Sequence, residues 1–272
     1  MADSRAIGIF DSGLGGLTVA REVISRLPNE DIVYFGDTGR VPYGSRSRET
    51  IKKYALQDES FLIKHNVKLI IAACGTVSSV AGDAAKALPV PYFEMVTHAA
   101  KAAVSATKSG KIGVIGTAAT VGSGSHKREV LKLMPSAEVT ACSCSLFVPL
   151  VEVGWYSADD IVVKETVKRY LAPIITAGCD TLILGCTHYP VLQNVIAEVL
   201  GDKVTLINPG IAVANAVKAF IVSNGMANEK EISGSHEFFV TDKPYSFKSL
   251  AAVLLGEKIN EDNVKQVELD SL

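Results

Sequence analysis

The chain of 272 residues is 48% hydrophobic and 21% charged, which supplies a full core and excludes extensive disorder. A formal net charge of −2 and a pI near 6.2 give no basic footprint, so nucleic acid is not expected as a main partner. No apolar run is long enough to span a bilayer, and MADSRAIGIF at the start lacks the basic and apolar regions of a signal peptide; a soluble, cytoplasmic protein without membrane partners is expected.

Ala6–Phe10 reads as a first strand, ended by Asp11-Ser12-Gly13-Leu14-Gly15-Gly16 and followed by a helix over Leu17–Leu27. The glycines allow backbone N–H groups to approach a ligand at the helix start. The turn lacks GxGxxG spacing and a following Lys-Ser/Thr, so neither a dinucleotide site nor a P-loop is indicated. Asp11 and Ser12 are placed to meet a small polar ligand, although Asp11 equally suits organising the turn.

Ile32–Phe35 is a second strand, followed by the long polar loop Gly36–Ser45, a length that often signals function. Ser47 then caps a helix to about His65, which reads as a surface residue favoured by the helix dipole. Leu69–Ala73 is a third strand running into Cys74-Gly75-Thr76 and a helix over Ser78–Leu88. Pro89–Glu94 is extended, and an alanine-rich helix from Thr97 follows.

Lys111–Ile115 is the next strand, with Gly116–Thr120 turning toward a helix near Lys127–Met134; His126 is expected to be exposed or capping rather than a base. Glu138–Cys142 is a strand, Cys144–Gly154 a mainly apolar segment, and Asp159-Asp160 start a helix to about Thr176. Glu152, between Val151 and Val153, is either a solvated helix residue or a poorly solvated carboxylate whose raised pKa suits a proton carrier. Thr181–Leu184 is a buried strand that breaks at Gly185 into Cys186-Thr187-His188, repeating the design at Cys74. Helices over Val191–Leu200 and Ile211–Ser223 enclose a strand at Val204–Ile207. Beyond the polar stretch Asn224–Ser235 come a strand at Glu237–Thr241, a helix at Ser246–Leu255 and an edge strand near Val264–Leu269.

Strands alternating with helices predict an α/β fold with mainly parallel sheets. The repeated cysteine turn predicts two similar domains, with residues 1–96 plus 210–272 forming the first and 97–209 the second. Five cysteines without CxxC spacing are expected as free thiols, and no metal site is indicated. Cys142, Cys144 and Cys179 read as packing or surface residues.

A thiol has an ordinary pKa of about 8.5, and a helix start with a nearby histidine or threonine lowers it. Cys186 with His188 alone would suit acyl transfer, as in a thiol hydrolase. Two thiols on matching turns, brought face to face by a pseudo-twofold, suit a different reaction: one removes a proton from carbon and the other delivers one to the opposite face. No lysine is marked as a Schiff-base residue and no cofactor is indicated, so fixed donors such as Ser12, Thr76, Thr187 and the backbone N–H groups after each strand must stabilise the transition state.

The strings DSGLGGLTV (from Asp11), GDTGRVPYG (from Gly36), AACGT (from Ala72), GVIGTAAT (from Gly113), PLVEVG (from Pro149) and LGCTHYP (from Leu184) together resemble glutamate racemase, as does FFVTDKPYSFKSLAAVLLG near the end. The resemblance implies cofactor-independent interconversion of L- and D-glutamate, supplying D-glutamate for peptidoglycan, in a cleft between two pseudo-twofold α/β domains, commonly as a homodimer. It assigns Cys74 and Cys186 as the acid/base pair, Asp11 and His188 as their helpers, and Glu152 as a further proton relay. Substrate contacts would come from Asp11, Ser12, Tyr43, Gly44, Gly75, Thr76, Thr117, Thr187 and His188. Gly75 stands where the family usually has Asn, and His126 where it often has Tyr; backbone or water would replace the missing contact at 75. The short stretch before the first strand implies activity without a cell-wall precursor. Neighbouring possibilities are an aspartate or hydantoin racemase, or a non-catalytic binder of small acids.

Overall fold

The computed structural model describes residues 3–81, 88–243, 247–256 and 260–268. The first part of the chain contributes β1 (Ile7–Asp11), α1 (Leu17–Arg26), β2 (Ile32–Gly36), α2 (Arg48–Lys64), β3 (Leu69–Ala72), α3 (Gly75–Val80) and β4 (Tyr92–Glu94). Next come α4 (Met95–Ala106), β5 (Lys111–Gly116), α5 (Ala118–Ser123), α6 (Ser125–Leu133), β6 (Glu138–Ser143), α7 (Phe147–Glu152), α8 (Ile161–Thr176), β7 (Thr181–Leu184), α9 (Gln193–Leu200) and β8 (Thr205–Ile207). The chain closes with α10 (Pro209–Ser223), β9 (His236–Val240), α11 (Phe247–Leu255) and β10 (Val264–Gln266).

These strands form two parallel sheets, ordered β10-β9-β2-β1-β3-β4 and β6-β5-β7-β8. The four strands β2-β1-β3-β4 and the four strands β6-β5-β7-β8 have the same order relative to the chain, so the second sheet repeats the first. In each, the order reverses beside the first strand, and such a switch point opens a crevice at the carboxyl ends of the strands. Cys74 follows β3 and Cys186 follows β7, which are equivalent strands at equivalent switch points. The C-terminal strand β9 returns to the first sheet, pairing with β2 from Ile32↔His236 to Gly36↔Val240.

The strands are apolar throughout because both sheet faces are covered. In β1 the alternation of side chains sends Ile7 and Ile9 into the cluster that includes Leu17, Ala20 and Val23 of α1. Phe10 goes to the opposite face, among Ile51, Ala55 and Leu62 of α2. Each of these side chains is fully buried and contributes roughly 1.5–3 kcal/mol of transfer free energy. Caps fix the helix starts that flank the sheets: the Ser47 side chain accepts from the Thr50 N–H, Glu94 from Val96 and Thr97, Asp160 from Val162 and Val163, and Asn208 from Gly210.

Several elements differ from the expectation. Helix α3 starts at Gly75, directly after the cysteine, because the Cys74 backbone is extended and the Ser78 N–H already bonds to the Cys74 carbonyl. The expected continuation to Leu88 runs through residues 82–87, outside the described residues, as does residue 269 of the expected edge strand. The extended segment after Pro91 pairs with β3 as β4. A short helix, α5, stands before α6 and is capped by Thr117, whose hydroxyl accepts from the Thr120 N–H. His65 is partly buried rather than on the surface: its ring lies 4.2 Å from that of Phe61 and 4.8 Å from that of Phe239.

Candidate active site

A cavity of about 440 Å³ lies between the carboxyl ends of the two sheets, with Ser12 and Cys74 on one side and Cys186 and His188 on the other. Every candidate site residue except Asp11 lines it, including Tyr43, Gly44, Gly75, Thr76, Thr117, Glu152 and Thr187. Asp11 ends β1 just beneath Ser12 and is buried. Its Oδ2 accepts from the Gly13 N–H at 3.0 Å, while Oδ1 is buried without a hydrogen-bond partner among the described residues.

Cys74 is buried, and its Sγ donates to Ser12 Oγ at 3.4 Å. Burial, reinforced by the Asp11 charge and opposed by the Ser12 hydrogen bond, pushes the thiol up to about 12. The expectation that a helix start would lower it is therefore corrected, because the dipole of a helix six residues long does not offset loss of solvent and an adjacent carboxylate. Asp11 is itself raised by burial, with the His188 charge and the N–H groups of Gly16, Gly13 and Ser12 opposing.

The second turn has different helpers. His188 is buried, with Nδ1 4.0 Å from Cys186 Sγ and Nε2 3.4 Å from Glu152 Oε1. Burial would lower its pKa, but the Cys186 sulfur and the Glu152 carboxylate outweigh it and bring it to about 10. The imidazolium form of His188 is therefore favoured while the sulfur and Glu152 carry negative charge. Glu152 takes the solvated of its two expected places: it ends α7 with its side chain 45% exposed and faces the histidine from the rim.

The two walls touch closely. Thr18 Oγ1 donates to the Thr187 carbonyl at 2.8 Å, and the hydroxyls of Thr76 and Thr117 lie 3.0 Å apart. A β-carbon added to Gly15 would come 2.3 Å from Thr187 Oγ1, and one added to Gly75 would come 2.3 Å from the Gly185 carbonyl oxygen. Glycine at 75 therefore lets the two cysteine turns meet backbone to backbone, a role that the absence of a side-chain contact did not reveal.

Tyr43 lines the cavity, but its hydroxyl bonds to buried Asp37 and to Asp58, the latter at 3.0 Å. Arg40 bridges the same carboxylates, at 2.5 Å to Asp37 and 3.2 Å to Asp58. Burial and the neighbouring Asp37 charge hold Asp58 well above the carboxylate range, so this pair retains a proton. The cluster fixes the Tyr43–Ser45 turn, and Tyr43 has no hydroxyl to spare for a ligand.

Two residues read as bland fare differently. Cys144 is buried in the core, as the packing reading expects, and it also borders the cavity: β6 runs to Ser143, one residue beyond the expected end, so Cys144 leaves a strand at the same edge as the other turns. The Tyr189 hydroxyl donates to its carbonyl at 2.9 Å, tying that loop to the second cysteine turn. His126 is buried rather than exposed; burial lowers it to about 4, and neither ring nitrogen has a partner among the described residues. It sits behind Gly185, where an added β-carbon would be 3.5 Å from its ring, and is not among the residues lining the cavity.

Residues 18–217 match the model of the Asp/Glu/hydantoin racemase family. The chain is 41% identical over 268 residues to the glutamate racemase of Geobacter metallireducens, covering 98% of each. Its fold superposes on the crystal structure of Francisella tularensis glutamate racemase in complex with D-glutamate with a TM-score of 0.92 at 38% identity, covering 99% of this chain and 100% of that one. The corresponding values for the Thermus thermophilus glutamate racemase in complex with β-chloro-D-alanine are 0.89 and 39%, covering 100% of both chains. Among the described residues no helix is long and apolar enough to cross a membrane. With likeness extending over almost the whole chain in sequence and in fold, the chain belongs to the Asp/Glu/hydantoin racemase family and is an amino-acid racemase, an isomerase.

Proposed function

We propose that the protein interconverts L- and D-glutamate by a two-base reaction in which Cys74 and Cys186 act on opposite faces of the α-carbon. The observation that carries this reading is that equivalent strands of two repeated sheets deliver one thiol each to a single cavity. A thiolate on one side takes the α-proton, and the thiol on the other returns a proton to the far face. The planar, carbanion-like species between these steps has its charge spread onto the carboxylate, where Ser12, Thr76, Thr117, Thr187 and the N–H groups of the Gly44 and Gly75 turns are placed to bind it.

The two helpers divide the work. Buried Asp11 beside Cys74 makes that sulfur a strong base once ionised and a poor acid before then. Cationic His188 beside Cys186 stabilises negative charge on the second sulfur, and Glu152 carries protons between His188 and the rim. Glutamate is preferred over aspartate or hydantoins because the relatives matched over their full length are glutamate racemases. On this reading the halves 1–96 plus 210–272 and 97–209 act as two domains closing on the substrate, in a cytoplasmic homodimer that supplies D-glutamate for peptidoglycan.

The test is solvent deuterium entry at the α-carbon of each glutamate enantiomer, with aspartate and hydantoins assayed alongside. Cys74→Ala and Cys186→Ala are each expected to abolish racemisation while leaving the fold intact. Wild-type racemisation by either variant overturns the two-base scheme, and glutamate binding without deuterium entry makes the protein a binder instead.

A further inference from the structure

A second cavity, of about 280 Å³, opens where the two halves meet and is lined by cations from both. Arg46 and Arg48 reach it from the segment leading into α2, and Arg128 reaches it from α6. No acidic side chain lines it among the described residues, and neither Arg46 nor Arg128 has a carboxylate partner there. The guanidinium of Arg128 is oriented by donation from Nη1 to the Ser123 carbonyl at 2.5 Å, which leaves its other N–H groups for a ligand.

Ser79 of α3 also borders this cavity, with its Oγ enclosed by protein rather than open to the hollow. A planar guanidinium fork matches phosphoryl and carboxylate oxygens. Gly122 leaves the wall open, since a side chain there would meet nothing within 4 Å.

We propose that this seam cavity is a second ligand site, which binds a compact polyanion through Arg46, Arg48 and Arg128. The catalytic cavity uses the same three elements: Tyr43–Ser45 precede Arg46, Thr76 is one turn from Ser79, and Thr117 begins the α5 segment that ends at Ser123. A polyanion held there joins α2 and α3 to α5 and α6, the same sides that the Thr76–Thr117 hydrogen bond joins. Phosphoryl and polycarboxylate compounds share the required chemistry.

The experiment is calorimetric titration of inorganic pyrophosphate, and separately citrate, at low ionic strength into protein saturated with D-glutamate. One saturable site is expected, weakened at least tenfold in Arg46→Ala/Arg128→Ala; the ratio of the two affinities identifies the preferred anion class. If the double alanine variant does not fold, Arg128→Gln alone is expected to weaken binding at least threefold. Absence of binding at millimolar concentration, or affinity unchanged by these substitutions, overturns the proposal. So does binding seen only without glutamate, which puts the anion in the catalytic cleft. A salt-dependent loss of kcat/KM in the variants with no anion bound to the wild type also overturns it and makes the arginines a guide for incoming substrate.

Discussion

Gly75→Ala tests whether the two cysteine turns work as one unit. The added β-carbon would lie 2.3 Å from the Gly185 carbonyl oxygen and 3.2 Å from its carbon, against an ordinary contact of 3.4 Å or more. Both clashing atoms are backbone, so no rotamer change relieves them, and the turns must separate by about 1 Å. A misplacement of about 1 Å in a site of this kind costs roughly 10²-fold, or about 2.7 kcal/mol of transition-state stabilisation. The expected result is a loss of about two orders of magnitude in kcat/KM in both directions, followed by circular dichroism of each glutamate enantiomer. Gly122→Ala, where a β-carbon meets nothing within 4 Å, is the matched control and is expected to retain full activity. If Gly75→Ala racemises within about twofold of the wild-type rate, the close approach of the turns has no part in catalysis.

Two other substitutions probe buried carboxylates near the site. Glu59 of α2 is fully buried with neither oxygen paired among the described residues, and burial, partly offset by the nearby Tyr92 hydroxyl, pushes it up to about 7 from an ordinary 4.5. Because the folded state holds this proton more tightly, stability falls as pH rises from 4.5 through 7 and the loss is complete above it. Glu59→Gln should therefore match the wild type near pH 4.5 and exceed it at pH 8 by up to about 3 kcal/mol, measured by urea unfolding; an equal difference at both pH values refutes this. Tyr43→Phe removes the hydroxyl that bonds to Asp37 and Asp58, and should cost about 1–3 kcal/mol in stability and raise KM by loosening the Tyr43–Ser45 turn. Unchanged stability in that variant would mean that Arg40 and water satisfy the pair without it.

What the sequence made legible was whatever depends on local pattern. Apolar runs ended by small polar residues located the strands of both sheets, and the two cysteine turns stood out because each broke such a run in the same way. Helix ends were clearest where a capping side chain was present, as at Ser47 and Asp160. The cavity role of Cys144 was not legible, because it depends on β6 running one residue further and on which edge of the sheet that strand leaves. Tyr43 lines the cavity, but the partners of its hydroxyl were not legible, since Asp58 lies on a helix beyond the loop and only packing brings the two together. The same is true of His126 and Gly75, whose surroundings are made by Gly185, a residue over 50 positions away in sequence from the first and 110 from the second.

The deepest difference between pattern and structure is electrical. Repeated topology makes the two thiols equivalent in position, yet Cys74 faces a carboxyl helper and Cys186 an imidazole. The proposed two-base reaction, which needs one proton donor and one proton acceptor at each moment, would be served by this inequality of helpers. The helpers are also coupled, since the charge on His188 opposes the raised pKa of Asp11 across the seam. Loss of the imidazolium therefore acts on both turns: it removes the stabilisation beside Cys186 and drives Asp11 further toward its neutral form, which relieves the charge that keeps the Cys74 thiol protonated. Under the proposed two-base reaction, the pairing of Asp11 with His188 gives the two sulfurs unlike helpers, as a proton taken on one face of the substrate and a proton delivered on the other require.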